Sequence, residues 1–507
     1  MHPSSSKRLM KNTIVMYFRM AITMIVGLYT SRVILLTLGV SDFGIFNVVG
    51  GVVVMFTFLQ QALTTSTQRF LSYAIGKGNE DELISIHKAS IRIYTIVCLV
   101  TIILAETIGL WFLNAEMEIP EGRMVAANYV YQFSILSTCV SMYTAAYNAH
   151  IIANERFTFY AYQGILEAVL KLVIVYLLCV FLLDRLIFYA FLTFLVTALI
   201  WFANYFYCRK YFQYFKVKAK FDSAMFKKLL NFSGWGVFGG IANMGFRQGV
   251  NVIINLFYGV TLNASFGIAN RVSAMVYQFV GGFQAALNPQ LTKSEAVGDK
   301  EQQKNLIYRS CKISTYLLMI VGIPVIVNAD WLLELWLGDV PDYAVSFCQL
   351  MIIGAMVDAV SGPLWVSIFA TGNIKYYQIV ISTVLLLNLP FSYIFCKMGA
   401  APENVLWVRI ALYVVALLVR LVFMRKLIGF SIRGFCKNVI TPLCVISVIV
   451  APLGYVIYTE FVKLGTLLMT LPLFLLMLAL ITLVGFNQTE RKAVGALLVK
   501  YLPFKKK

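Results

Sequence analysis

Carboxylates are the scarce resource of this sequence. Asp and Glu number 23 against 42 Lys and Arg, giving a formal charge of +19 over 507 residues. Four apolar segments, 12–38, 44–72, 229–258 and 264–292, contain no acidic residue, yet they carry Arg19, Arg32, Arg69, Arg247 and Arg271. Charge of either sign is sparse, at 13% against 60% hydrophobic residues, which excludes an ordinary soluble domain. Nine cysteines are scattered singly, Cys98, Cys139, Cys179, Cys348 and Cys396 among them, which excludes a disulfide framework and leaves them as apolar space-fillers. The three histidines, His2, His87 and His150, form no ligand pattern, so neither metal nor cofactor is expected. A phosphate-binding GxxxxGK[ST] loop is missing, and no nucleophile–base pair stands out, so an enzyme or an ATP-driven pump is not expected.

What the chain has in abundance is long apolar runs. A membrane span needs about 20 mainly apolar residues. Fourteen candidates centre near 13–38, 44–72, 90–114, 124–148, 157–182, 186–207, 229–258, 264–292, 312–337, 342–370, 374–396, 404–425, 438–458 and 464–486. The expected fold class is an all-α polytopic membrane protein with 14 transmembrane helices. The first run is too long for a cleaved signal, contains Arg19 and lacks a small-residue cleavage pattern, so it is read as the first span.

The positive charge alternates between connections. Lys7, Arg8 and Lys11 lie on the rich side, followed by Lys77, Lys88 and Arg92, and then by Arg209 to Lys228. Lys293 to Lys312, Arg425 to Lys437 and Lys500 to Lys507 continue it. Arg123, Arg185, Lys397 and Lys463 are the few cations opposite. The positive-inside rule then places both termini in the cytoplasm, which requires an even number of spans. The basic loops answer to an anionic leaflet of membrane lipids, and nucleic acid is not an expected partner. Trp111, Trp331 and Trp336 fall near predicted outer ends, as an interfacial belt does.

The sequence repeats itself. Gly39-Val40 matches Gly259-Val260, and Phe43-Gly44-Ile45-Phe46-Asn47 matches Phe266-Gly267-Ile268-Ala269-Asn270. Leu59-Gln60-Gln61-Ala62-Leu63 matches Phe283-Gln284-Ala285-Ala286-Leu287, and Ser90-Ile91-Arg92-Ile93 matches Ser310-Cys311-Lys312-Ile313. The offsets are 220, 223–224 and 220. Six spans per copy keep both copies in one orientation, so parallel repeats are expected, with substrate between them. The domains expected are an N-lobe over 1–207, a basic linker over 208–228, a C-lobe over 229–425, and an extra helix pair with a basic tail over 426–507. Proline is absent from the first six spans, whereas Pro289, Pro324, Pro363 and Pro390 sit in or beside later ones, with Gly362-Pro363 a candidate hinge. Gly236, Gly240, Gly245 and Gly249 give span 7 a spacing suited to close helix approach.

Angles at 100° per residue sort the polar residues into faces. In span 7, Asn243, Arg247, Gln248, Asn251 and Asn255 fall within about 70° of one line. In span 1, Asn12, Arg19, Thr23, Thr30 and Thr37 fall within about 20°, with Arg32 opposite. Span 2 presents Asn47, Gln61, Thr65, Gln68 and Arg69, and span 8 presents Asn270, Tyr277, Gln284 and Asn288, with Arg271 about 100° away. Four such helices enclose a polar, positive cleft. Helix-to-helix bridging is the competing reading for each Asn, Gln and Thr. Glu167 is matched by Lys171 one turn along. A guanidinium fork suits phosphate, and a head group with two negative charges moving outward gains about 4–5 kcal/mol per 100 mV of inside-negative potential.

The run Leu38-Gly39-Val40-Ser41-Asp42-Phe43-Gly44-Ile45-Phe46-Asn47-Val48-Val49-Gly50-Gly51 resembles the first helix junction of polysaccharide-exporter flippases, as does Thr67-Gln68-Arg69-Phe70-Leu71-Ser72 with the loop 76–82. Tyr147-Asn148-Ala149-His150-Ile151-Ile152-Ala153-Asn154-Glu155-Arg156 is similar to lipopolysaccharide and capsule transporters of Bacteroides-like bacteria. The resemblance covers essentially the whole chain. It points to the multidrug/oligosaccharidyl-lipid/polysaccharide exporter superfamily. It implies two six-helix lobes in a V, alternating access, and export of a polyprenyl-pyrophosphate-linked oligosaccharide for O-antigen or capsule synthesis, alongside a glycan polymerase and glycosyltransferases. Cavity cations that hold the pyrophosphate match Arg19 and Arg247, with Arg69, Arg271, Asn47, Gln61, Asn243, Gln248, Asn251, Asn270 and Gln284 as further candidates. Drug-extruding relatives couple ions through membrane carboxylates, which spans 1, 2, 7 and 8 lack. Glu106, Glu167 and Asp358 are the candidates for such coupling, and a cation-coupled multidrug exporter is the alternative reading. A non-transporting scaffold of a glycan assembly complex is a third.

Overall fold

The computed structural model describes residues 3–54, 57–115, 119–120, 122–180, 184–217, 221–461, 466–486 and 490–491. Among them there is no strand, and each of the fourteen predicted apolar segments lies on helix over most of its described length. Eight helices are long and apolar enough to cross a membrane among the described residues. The protein is a multi-pass membrane protein.

The helices are α1 (Pro3–Val54), α2 (Thr57–Lys77), α3 (Glu80–Leu104), α4 (Leu110–Ala115), α5 (Met124–Ala153), α6 (Phe157–Val180) and α7 (Arg185–Tyr211). They continue with α8 (Ser223–Val297), α9 (Lys300–Val327), α10 (Ala329–Leu337), α11 (Ala344–Thr371), α12 (Lys375–Leu386) and α13 (Asn388–Lys397). The last are α14 (Asn404–Ile428), α15 (Ile432–Phe435), α16 (Thr441–Phe461) and α17 (Thr466–Leu480). At 1.5 Å per residue a straight α8 would run about 110 Å, far beyond a bilayer core of about 30 Å. The chain solves this with glycine. Gly259 interrupts α8 at φ 81°, ψ −177°, and Gly39 interrupts α1 at φ 78°, ψ 167°. This backbone region is open essentially to glycine alone.

These two breaks stand 220 residues apart, and the same register recurs. Gly78 and Gly298 both take positive φ at helix ends. Thr64 Oγ1 meets Tyr94 Oη at 3.1 Å, and Gln284 Nε2 meets Ser314 Oγ at 3.4 Å, again at equivalent places. The duplication therefore runs at 220 throughout these points, and Gln284 stands where the first copy has Thr64. The sequence match of Gln60 with Gln284 is slipped by one helical turn.

Two compact units form. The first comprises 1–241, 285–299 and 372–378, and the second comprises 242–284, 300–371 and 379–507. The 208–228 linker and the first part of α8 thus belong to the first unit. In that unit α5 packs on α7, α2 and α3, and α1 packs on α6. Arg123 ties three helix ends together, donating through Nε to Asp42 Oδ1 at 2.9 Å and through Nη1 to Asp184 Oδ2 at 2.7 Å. Asp184 also caps α7 by accepting from the Leu186 and Ile187 amides. On the basic side, His87 Nδ1 and His150 Nε2 lie 3.2 Å apart, and His150 meets the Tyr214 hydroxyl of the linker at 3.2 Å. Sequence separation concealed this histidine pair. Burial raises the Tyr214 hydroxyl pKa, so the phenol stays protonated as a hydrogen-bonding partner.

In the second unit α11 packs against α9 and α14, and α16 and α17 pack against α9. A buried ion pair, Lys312 Nζ to Glu490 Oε2 at 2.6 Å, joins α9 to the segment following α17. Six of the eight described cysteines are buried, and Cys436 and Cys444 are exposed; Cys179 lies outside the described side chains. Pro289, Pro324, Pro363 and Pro452 sit inside continuous helices. Two of the helices return a side-chain bond to the proline's carbonyl: Ser367 donates to Pro363 and Asn328 to Pro324, each at 2.8 Å.

Candidate functional site

Arg19 comes from the middle of the first half of α1. Its guanidinium lies 4.2 Å over the Tyr160 ring of α6, and its Nε presses so close to Gly164 that a β-carbon there would collide with it. Among the described residues no carboxylate forms an ion pair with it. Gln163, 7% exposed, leaves its Oε1 buried without a hydrogen-bond partner on the same helix. The threonines that share Arg19's face turn inward on their own helix: Thr23, Thr30 and Thr37 donate to the carbonyls of Met20, Val26 and Val33. Their donors are consumed locally, so Arg19 is the active member of that stripe.

Arg69 is buried and enclosed. Phe70, Tyr73 and Phe232 surround its guanidinium at 4.7, 4.9 and 5.5 Å, and Gly372 lies against it. Lys77 and Lys228 approach the same rings. This is a cation–π cluster at the basic end of α2. Gln61 is exposed. The side chains of Asn47, Arg32 and Gln248 lie outside the described residues.

In the second unit, Arg247 of α8 is exposed and donates through Nε to Asn243 Oδ1 at 2.9 Å, one turn back. No carboxylate among the described residues forms an ion pair with it. Asn251, a further turn along, has its Oδ1 buried without a partner. Arg271 is exposed, and Asn270 beside it is half-buried. Gln284 serves packing: its Nε2 donates to Ser314 Oγ and to the Ala359 carbonyl, both at 3.4 Å. Gly362 leaves the room that this amide fills, which gives that glycine a packing duty within an unbroken α11. Gly245 and Gly249 likewise admit Leu386 and Leu389.

Each of the three candidate carboxylates has a polar neighbour among the described residues. Glu106 accepts from Gln132 Nε2 at 3.2 Å, and Glu167 pairs with Lys171 at 2.7 Å. Asp358 of α11 pairs with Arg420 of α14, Oδ1 to Nη1 at 3.9 Å. Arg409, on the same helix, stacks over Phe246 and Tyr413 at 5.4 and 5.7 Å, and its Nη1 is buried without a hydrogen-bond partner. Tyr277 of α8 lies within electrostatic reach of Asp358, Tyr413, Arg247 and Arg420. Arg409 and Arg420 escaped the sequence reading, which followed spans 1, 2, 7 and 8. The signal was present: eleven residues along a helix is about 20° from three full turns, so both arginines share a face.

Among the described residues the second unit presents Arg247 and Arg420 within electrostatic reach of one phenol, with Asp358 paired to Arg420, and the first unit presents a guanidinium framed by aromatic and amide groups. Such groups bind anions with charge-assisted, often bidentate hydrogen bonds. A family model described as polysaccharide biosynthesis protein matches residues 37–345. The chain belongs to that family. Its fold is shared with solved transporters of the MOP superfamily. One is a multidrug resistance MATE family transporter in an outward-facing conformation, at a TM-score of 0.71 and 15% identity, covering 84% of this chain and 96% of that one. A MOP superfamily transporter from Pyrococcus furiosus, described by the reverse polarity of its binding pocket, matches at 0.69 and 15% over the same shares. The MATE transporter ClbM in complex with Rb+ matches at 0.69 and 16%, again over 84% and 96%. At these identities the likeness concerns fold. No curated protein matches the sequence.

Proposed function

We propose that this protein is a flippase that carries a polyprenyl-pyrophosphate-linked oligosaccharide from the inner to the outer leaflet of the bacterial cytoplasmic membrane. The charge alternation along the sequence supports a cytoplasmic placement of both termini. The observation that carries the reading is the state of Arg19 and Arg247. Each lies on an apolar helix without an ion-paired carboxylate among the described residues, and each is presented with aromatic or amide neighbours. Cations at membrane depth are costly, so they persist where an anion from outside completes them. The polysaccharide biosynthesis family supports a glycan-linked anion as that guest. Alternating access moves the head group while the acyl chain stays in lipid, and the glycosyltransferases and polymerase of the same assembly line supply and consume it.

The alternative, a cation-coupled multidrug exporter, shares the fold. It needs a membrane carboxylate that binds an ion, whereas Glu167 is paired with Lys171, and Asp358 faces Arg420, a cation that an incoming ion would have to replace. Deleting the gene from its host separates the two readings. The flippase reading expects loss of surface polysaccharide with unchanged sensitivity to cationic drugs. A normal polysaccharide coat together with drug hypersensitivity would overturn it.

A further inference from the structure

We propose that Asp358 is a displaceable counter-ion: it neutralises Arg420 in the unloaded protein, yields it to the substrate phosphate, and then helps to expel that phosphate. The inference rests on the flippase reading and deepens it.

The observations all lie in the second unit. Arg420 is 7% exposed, so its charge must be compensated when no substrate is present. Asp358 compensates it loosely, at 3.9 Å, beyond direct hydrogen-bond distance. The Asp358 side chain is 20% exposed, so the pair is open from the carboxylate side. Asp358, Arg247 and Arg420 all lie within electrostatic reach of the Tyr277 hydroxyl. A doubly charged pyrophosphate entering here gains Arg247 and Arg420 together.

Asp358 then has two consequences. Before binding, it lowers the affinity, because its pairing with Arg420 must be given up. After binding, it is a like charge beside the phosphate and favours release. A carrier needs both, since a site that holds its cargo too tightly cannot turn over. A merely structural Asp358, holding α11 to α14, would instead support the site, and its removal would weaken binding.

The test uses the purified full chain, geranylgeranyl pyrophosphate as the binding probe, and transfer of a fluorescent analogue of it between leaflets of proteoliposomes. Asp358→Asn is expected to lower Kd about tenfold, the worth of one hydrogen bond to a charged group, while slowing the maximal transfer rate. Asp358→Glu keeps the charge and reaches further toward Arg420, so Kd is expected to rise while the fold is retained. That second variant keeps the test decisive if Asp358→Asn does not fold. Unchanged or weaker binding by a folded Asp358→Asn, or unchanged or tighter binding by Asp358→Glu, overturns the proposal. If wild type binds the probe and Arg247→Ala weakens it, such a result defeats only this inference. If wild type neither binds nor transfers the probe, the flippase reading itself fails.

Discussion

Arg19→Ala and Arg247→Ala are each expected to cut the host's surface polysaccharide by about ten- to a hundredfold, the worth of about 1.5–3 kcal/mol for a hydrogen bond to a charged group, while the protein reaches the membrane in normal amount. The reason lies in what each arginine touches. Arg19 spends its guanidinium on the Tyr160 face and not on a carboxylate, and Arg247 spends one N–H on Asn243. Neither arrangement saturates a group with five donors. Lysine at either place keeps the charge but loses the planar fork, so it restores export only in part. Glu106→Gln and Glu167→Gln are expected to leave export unchanged, because their bonds to Gln132 and Lys171 lie outside this set. Polysaccharide is measured on whole cells and protein by immunoblot of membranes. A multidrug exporter predicts the reverse pattern.

Gly39→Ala and Gly259→Ala are each expected to destabilise the protein by about 1–3 kcal/mol, the usual cost of a residue held in a sparsely populated backbone region. An added β-carbon meets nothing within 4 Å at either place, so the cost is one of backbone conformation alone. The two positions share no partner, and their effects add. The double variant is therefore expected to lose its folded signal in detergent about 2–6 °C earlier on heating. Gly267→Ala serves as the control: this glycine is helical and a β-carbon there also meets nothing within 4 Å, yet no positive φ is involved. A double variant as stable as wild type would mean that α1 and α8 do not break at these glycines.

Helices were legible because the membrane imposes one signal, apolar length, and it survives any packing arrangement. The repeat was legible because glycines that alone can take a conformation leave an unambiguous mark, as Gly39 and Gly259 do. Register between them was harder. The 223–224 offset matched residue letters across Gln60 and Gln284, whereas the hydrogen bonds of Thr64 and Gln284 keep the spacing at 220. Side-chain roles were least legible. A stripe on a helix says which way a threonine points, and not that its hydroxyl returns to its own backbone, as Thr23, Thr30 and Thr37 do. Gln284 shared a face with Asn270 but is drawn to Ser314 and Ala359. Arg420 and Asp358 meet across 62 residues of sequence, a pairing that no periodicity within one helix encodes. The His87–His150 pair is of the same kind.

The central claim is that arginines without carboxylate partners receive a phosphorylated lipid head group and carry it across. Its most direct measurement is leaflet accessibility in proteoliposomes loaded on one side with a polyprenyl-pyrophosphate-linked oligosaccharide. Wild-type protein is expected to expose the sugar on the opposite face, and the Arg19→Ala, Arg247→Ala double variant to leave it where it began. Equal transfer by both proteins, or no transfer by the wild type under an inside-negative potential, would contradict the account.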